Sequence, residues 1–368
     1  MPSLVSTCFD LWQRFFAPSA HVQGLPVEWS EPEQPGLSGA VVLKVAVGDR
    51  AWCLKGTPAS RFEPDRVAEL HRLTAWLGHR GLTQLAVPLV TTGGATWVEQ
   101  ADWVWQCEPW LPGAPLTVGE VLKDELEQAA RLVADWHRHA SDYCPTPRGE
   151  RWFASSDSGS PVGVRERLTR LSDWPEPRCR LLRSRLAAGP GRESRWQAAA
   201  ERVLTVAEQE GPRLAEELRA AQSLRVRLLP CLRDVWRPHV LFEQHRLVGL
   251  IDLQASRTEC VAADLSRLLG SLAPRRRDLW QAGLAAYEQV RPLGASERVL
   301  LPVYDRSGCL LAALHWVEWL LSRGPGEHET VERGPFARGT GLTTQAAERL
   351  VELSDRLEHG LPGEAWPS

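Results

Sequence analysis

A chain of 368 residues with 43% hydrophobic and 24% charged residues is long enough for two lobes and at least one substantial core. Its formal net charge of -3 gives no electrostatic case for a nucleic acid or an acidic membrane surface as partner, and no apolar stretch approaches the roughly 18 residues of a membrane span. The eight cysteines stand singly, with no CxxC pair, which argues against a zinc knuckle or a disulfide scaffold and predicts a reducing, cytoplasmic setting.

In chain order, residues 1–16 lack a basic leader and carry Asp10 inside an apolar pattern. That predicts an amphipathic helix rather than a signal peptide, so residues 1–26 read as an N-terminal helical extension. Residues 27–108 carry short β-like runs at 41–45, 51–55, 96–98 and 103–106. Between the second and third lies a helical pattern over 64–78, with Val67, Leu70, Leu73 and Leu77 on one face. The expected product is a small mixed β-sheet with one helix. Pro109, Pro112, Gly113 and Pro115 mark the exit from this first lobe, because proline density ends strands.

Residues 109–368 turn helical, with expected helices at 116–140, 164–186 (broken near Pro175 and Pro177), 194–220, 266–290 and 296–322. Residues 155–161, rich in Ser and Gly, read as a mobile loop. The triplet Arg275-Arg276-Arg277 reads as a solvated helix end. Trp12, Trp76, Trp136, Trp280 and Trp316 fall in apolar helical patterns and read as core.

The chemistry concentrates in Leu232-Arg233-Asp234-Val235-Trp236-Arg237-Pro238-His239, followed by Leu250-Ile251-Asp252. The pattern predicts a loop, a strand, a polar turn at 243–246 and a second strand, with Asp234 before the hairpin and Asp252 at its exit. A kinase catalytic loop spaces an aspartate and an asparagine in this way, so that a base reaches a hydroxyl and an amide oxygen reaches a metal. Here the spacing is kept and His239 holds the second position. Asp252 falls where a second acid would hold Mg²⁺ against phosphate oxygens.

Upstream, the only lysines are Lys44, Lys55 and Lys123. Lys55 at a strand end reads either as a phosphate-positioning amine with Glu69 as its ion-pair partner, or as an exposed strand-end lysine. Gly36-Leu37-Ser38-Gly39 reads either as a phosphate-covering turn, through Ser38 and Gly39, or as an ordinary hairpin turn. Asp264 before the run at 265 reads as a helix N-cap. His137 and His139 sit two apart on a helix and face different ways.

In this order, Gly36-Leu37-Ser38-Gly39, Lys55, Glu69, Trp110-Leu111-Pro112-Gly113, 132–137, the Asp234 loop and Leu250-Ile251-Asp252 resemble the aminoglycoside phosphotransferase and choline kinase-like group over roughly 27–320. The resemblance implies an α+β, two-lobed protein-kinase-like fold, with 27–108 as the nucleotide-binding lobe and 109–368 carrying the catalytic loop and acceptor-binding helices. It implies ATP between the lobes near Gln106 and Glu108, Mg²⁺ on Asp252 and His239, and γ-phosphoryl transfer to a hydroxyl of a small molecule. Asp234 would orient or deprotonate that hydroxyl, and Lys55 would position the phosphates. No obligatory protein partner is implied.

The chain departs from the group at Leu232-Arg233, where His-Gly is usual, at His239 for asparagine and at Gln254 for an acid. These departures leave a non-catalytic nucleotide-binding module as the alternative. A protein kinase is disfavoured by the lack of DFG and APE signatures. For the acceptor pocket, Glu120, Glu125, Glu127, Glu288 and Glu318 read either as a site for a cationic acceptor or as the wet faces of amphipathic helices.

Overall fold

The computed structural model describes residues 4–32, 40–117, 119–172, 174, 176–188, 194–322 and 340–359. The Gly36-Leu37-Ser38-Gly39 turn lies outside them, so Ser38 and Gly39 have no structural assignment. The chain opens with α1 (Leu4–Leu11), continued by a π-helical turn over Trp12–Phe16. Then come β1 (Glu28–Ser30), β2 (Val41–Val47), β3 (Arg50–Pro58), α2 (Pro64–His79), β4 (Val98–Gln100) and β5 (Trp103–Pro109). The five strands form one sheet in the order β1-β2-β3-β5-β4, antiparallel at every pairing. The expected lobe of short strands with one helix is present, and its sheet is antiparallel rather than mixed.

The alternation of β2, Val-Val-Leu-Lys-Val-Ala-Val, buries every second side chain, because successive side chains of a strand point to opposite faces. Val41, Leu43 and Val45 meet Cys8, Leu11, Trp12 and Phe16 of the N-terminal helical segment in a core that also holds Leu54 and Trp105. The amphipathic pattern at the N-terminus therefore has a partner: it covers one face of the sheet. Helix α2 packs elsewhere. Its Leu70, Leu73 and Leu77 join the larger core built by the helices downstream.

Beyond Pro109 the elements are β6 (Ala114–Pro115), α3 (Lys123–Ala140), α4 (Glu150–Phe153), β7 (Ser156–Gly159), α5 (Val162–Ser172), α6 (Glu176–Ala188), α7 (Arg195–Ala221) and β8 (Val226–Cys231). The hairpin follows as β9 (Val240–Glu243) and β10 (Arg246–Leu250), and then β11 (Arg257–Glu259), α8 (Ala262–Leu272), α9 (Arg277–Glu288), α10 (Ala295–Ser322) and α11 (Thr340–Glu358). Two small sheets, β10-β9-β6 and β11-β8-β7, carry the loop that contains Asp234 and the exit that contains Asp252.

Several expectations are refined. The stretch read as a mobile loop at 155–161 contains β7, hydrogen-bonded to β8. The single helix expected over 266–290 is two, separated at Ala273 and Pro274, since proline supplies no N–H to continue the first. Trp12, Trp136 and Trp280 are buried, while Trp76 and Trp316 are partly buried against the larger core. No described helix is long and apolar enough to cross a membrane.

Trp12 is fully buried and packs 5.3 Å from Trp52, ring to ring. Trp12→Ala is expected to lower stability by about 3–5 kcal/mol, as large-to-small core changes do. Urea denaturation checks this, and a loss under about 1 kcal/mol would mean that the N-terminal helical segment is dispensable to the sheet.

Candidate active site

Strand β8 delivers the chain into the loop at 232–239, anchored by the buried side chains of Leu232 and Val235. Between those anchors Arg233 has φ 62°, a left-handed conformation that costs a non-glycine residue roughly 1–2 kcal/mol. What holds the loop is Asp264. Its fully buried carboxylate accepts the Leu232 N–H at 2.7 Å and the Arg233 N–H at 2.6 Å. It also accepts from His137 Nε2 at 2.9 Å, and the other ring nitrogen of His137 meets the Tyr287 hydroxyl at 2.8 Å. Burial drives the His137 pKa down, against the pull of Asp264.

Asp264 was expected to be a helix N-cap. It does sit in the first turn of α8, but Val261 is the N-cap, and the carboxylate serves the loop at 232–233 instead. Cys231, His137 and Asp264 lie close enough to suggest a metal cluster. The Asp264 oxygens, however, are already taken by backbone N–H groups and His137, so the group is a hydrogen-bonded anchor.

Asp234 projects from this loop, half-exposed, in an ion pair with Arg267 of α8. His239 folds back on its own loop. Its Nδ1 lies 2.7 Å from the Asp234 carbonyl oxygen, and its Nε2 accepts the Trp236 indole N–H at 3.1 Å. A carbonyl only accepts and an indole only donates, so in these contacts Nδ1 is the donor and Nε2 the acceptor. Both nitrogens are thereby used, and the geometry does not offer His239 as a metal ligand, contrary to the expectation for that position. Asp252 Oδ2 stands 3.8 Å from His239 Nε2. Asp252 itself adopts φ 56° just after β10, and the Ile251 N–H donates to the His239 carbonyl at 3.0 Å, so the two halves of the hairpin hold each other.

Asp252 Oδ1 makes an ion pair of 2.9 Å with Lys55 Nζ, across 197 residues of sequence. Burial opposes ionisation of Asp252, but the Lys55 ammonium outweighs it and holds the carboxyl below its ordinary range. Lys55, Gln106, Glu108 and Asp252 line one cavity with His71 and Thr74 of α2. Gln106 Oε1 accepts from Gln254 Nε2 at 3.1 Å. Burial pushes the Glu108 carboxyl up to about 7, with Lys55 opposing and Asp252 reinforcing.

Glu69 is not the partner of Lys55. It faces the segment after α3, where Oε1 accepts from the Tyr143 hydroxyl at 2.5 Å and the Thr146 N–H at 3.0 Å, and Oε2 from the Thr146 hydroxyl at 2.5 Å. Gly149 permits this approach, since a Cβ there would stand 2.3 Å from Glu69 Cγ. The helical period of α2 turns His71 and Thr74, not Glu69, toward the cavity. Glu69 joins α2 to the helical lobe, and Glu108 of β5 is the second acid near Lys55.

The residues that sequence reasoning missed are Arg267, which contacts Asp234, and the Asp264–His137 pair. A buried acid one turn ahead of an arginine on an apolar helix was the available signal for the former. The pairing of Asp264 with His137 spans 127 positions and left no local trace.

Two variants test this geometry. Glu69→Gln is expected to cost about 1.5–3 kcal/mol, the range for hydrogen bonds to a charged group, with nucleotide affinity unchanged by calorimetry; a loss of affinity would return Glu69 to Lys55. Glu108 binds its proton more tightly in the folded chain than at the ordinary glutamate value of about 4.3. Its contribution to stability therefore falls as pH rises from that value to about 7. Glu108→Gln should gain about 1–3 kcal/mol relative to the parent between about pH 5 and about pH 8, and an equal effect at both would overturn this.

Comparison with known proteins gives the family and the fold. The family model described as "Phosphotransferase enzyme family" matches residues 34–299, well over half of the chain. A homoserine kinase of Polaromonas naphthalenivorans (strain CJ2) is 36% identical over 81 residues, covering 20% of this chain and 26% of that enzyme, so the chain spans about a quarter of that curated relative. Among solved structures, a spectinomycin phosphotransferase in complex with ADP and spectinomycin superposes with TM-score 0.62 at 10% identity, covering 96% of this chain and 98% of that one. An amicoumacin kinase superposes with TM-score 0.58 at 13% identity, covering 90% and 88%. A microcompartment-associated aminopropanol kinase superposes with TM-score 0.54 at 13% identity, covering 98% and 99%. At these identities the superpositions carry the fold, which is that of kinase-like small-molecule phosphotransferases. With the match across 34–299, the chain belongs to the phosphotransferase enzyme family.

Proposed function

We propose that the chain transfers the γ-phosphoryl group of ATP to a hydroxyl of a small molecule. The observation that carries this reading is the 2.9 Å contact between Lys55 and Asp252, which joins the sheet to the hairpin exit where a nucleotide's phosphates would lie. In the reaction the acceptor oxygen forms a bond to the γ-phosphorus as the bond to the β-γ bridging oxygen breaks, and ADP leaves. Asp234 orients the acceptor hydroxyl and takes its proton, which passes on to solvent. Lys55 would hold phosphate oxygens at the place where it now meets Asp252.

The donor set suits Mg²⁺, which is commonly held by one or two carboxylates together with substrate phosphates and water. Asp252 would be the protein ligand, and His239 would stay with Trp236. A divalent ion held there by Asp252 would offset the charge of the phosphates.

The alternative, a nucleotide-binding module without transfer, draws on a specific observation: Asp234 is already paired with Arg267. Turnover decides between them. Asp234→Asn should keep nucleotide binding, read as a thermal shift with AMP-PNP and Mg²⁺, and lose about 10²–10⁴-fold in turnover, the usual contribution of a positioned base. Unchanged turnover would sink the assignment of Asp234, and nucleotide binding with no ATP consumption across alcohols and amines would favour the module.

A further inference from the structure

Asp234 stands among arginines. Arg267 pairs with it and lies over the Trp236 ring, 5.7 Å from the centroid. Arg349 of α11 stacks on Trp236 at 4.3 Å. One carboxylate, Glu352, serves both Arg349 at 2.9 Å and Arg237 at 3.1 Å, while Arg233 takes Glu166. Four arginines thus face three acids, and one of those acids is the base. The Nε atoms of Arg267 and Arg237 are buried without a hydrogen-bond partner among the described residues.

Against this loop lies a cavity of about 330 Å³ whose lining includes Arg275, Arg276, Arg349 and Arg356 with the acids Glu352 and Asp355, and Ser271 also lines it. It abuts the loop directly, because Ser271 Oγ accepts the Arg237 N–H at 2.8 Å. Of the five acids that could have received a cationic acceptor, Glu120 is exposed beside the cavity-lining Val121, and the other four are engaged elsewhere. Glu125 pairs with His245, Glu127 with Lys123 and Arg131, Glu288 with Arg298 and Glu318 with Arg178.

We propose that the acceptor is a hydroxylated anion, a carboxylate or a phosphate ester, held by Arg349 and Arg267 beside Trp236. The proposal rests on the phosphotransferase reading above and adds the charge of its substrate. A planar guanidinium matches the oxygens of a carboxylate or phosphate bidentately, and a polyamine would be repelled by the uncompensated cation. Once Asp234 turns to the hydroxyl, the anion supplies Arg267 with a new partner.

The test uses the full chain with D-glycerate, glycerol 3-phosphate and spectinomycin as probes, each with and without saturating AMP-PNP and Mg²⁺. Thermal shift reads binding, and ADP release from ATP reads turnover. One of the two anions, which separates the carboxylate from the phosphate arm, should bind and be turned over, and spectinomycin should do neither. Arg349→Gln should weaken that anion about tenfold or more with the KM for ATP unchanged. Arg349→Lys, which keeps the charge and the fold but loses the fork, should fall between. Binding of spectinomycin without either anion, no binding by either anion, or anion binding indifferent to both variants overturns the proposal. Absence of an AMP-PNP shift would instead count against the phosphotransferase reading, and the arms without nucleotide would still decide the sign of the ligand's charge.

Discussion

A single buried carboxylate organises the helical half of this molecule. Asp264 has no exposure to solvent and accepts two backbone N–H groups of the loop at 232–233 together with His137. An ionised carboxylate is costly to bury unless it is hydrogen-bonded, so the loop is drawn into one conformation by the need to satisfy that charge. Tyr287 extends the network by orienting His137, and helices α3, α8 and α9 converge on this point. The position of Asp234, and through the His239 contacts that of the hairpin, follows from it.

A second constraint joins the two lobes, and it consists of two separate contacts. Lys55 reaches Asp252 at the mouth of the cleft, while Glu69 binds Tyr143 and Thr146 behind it. The first is a contact between side chains that a nucleotide would compete for. The second is a set of hydrogen bonds remote from the cavity, backed by the apolar face of α2 in the larger core. By its packing α2 therefore belongs with the helices downstream, while the sheet and the N-terminal helical segment share a core of their own.

Much of this was legible in the sequence where the signal is local. Alternation in β2 and the helical period of α2 place the sheet and its helix, and the hairpin at 240–250 follows from two apolar runs about a polar turn. Asp234, Lys55 and Asp252 were singled out by residue type and spacing, and the last two are in contact. Glu69 was misjudged because spacing along a chain does not say which way a helix is rotated, and in α2 the face toward the cleft carries His71 and Thr74. The strands β7 and β11 escaped notice because pairing with β8 orders residues of low intrinsic strand preference. The roles of Asp264, His137 and Arg267 depend on contacts between distant segments, which no local pattern records.

Arg233 carries one more implication. The resemblance places glycine at this position, the residue for which a left-handed backbone comes without steric cost, and this chain adopts φ 62° there with an arginine. The side chain that burdens the backbone also grips Glu166 of α5. Here the strained backbone is held by a tether, where a glycine would make a freer joint. A change at Glu166 of α5 would consequently be felt in the backbone next to Asp234, and glycine at position 233 would remove that link between the helix and the loop.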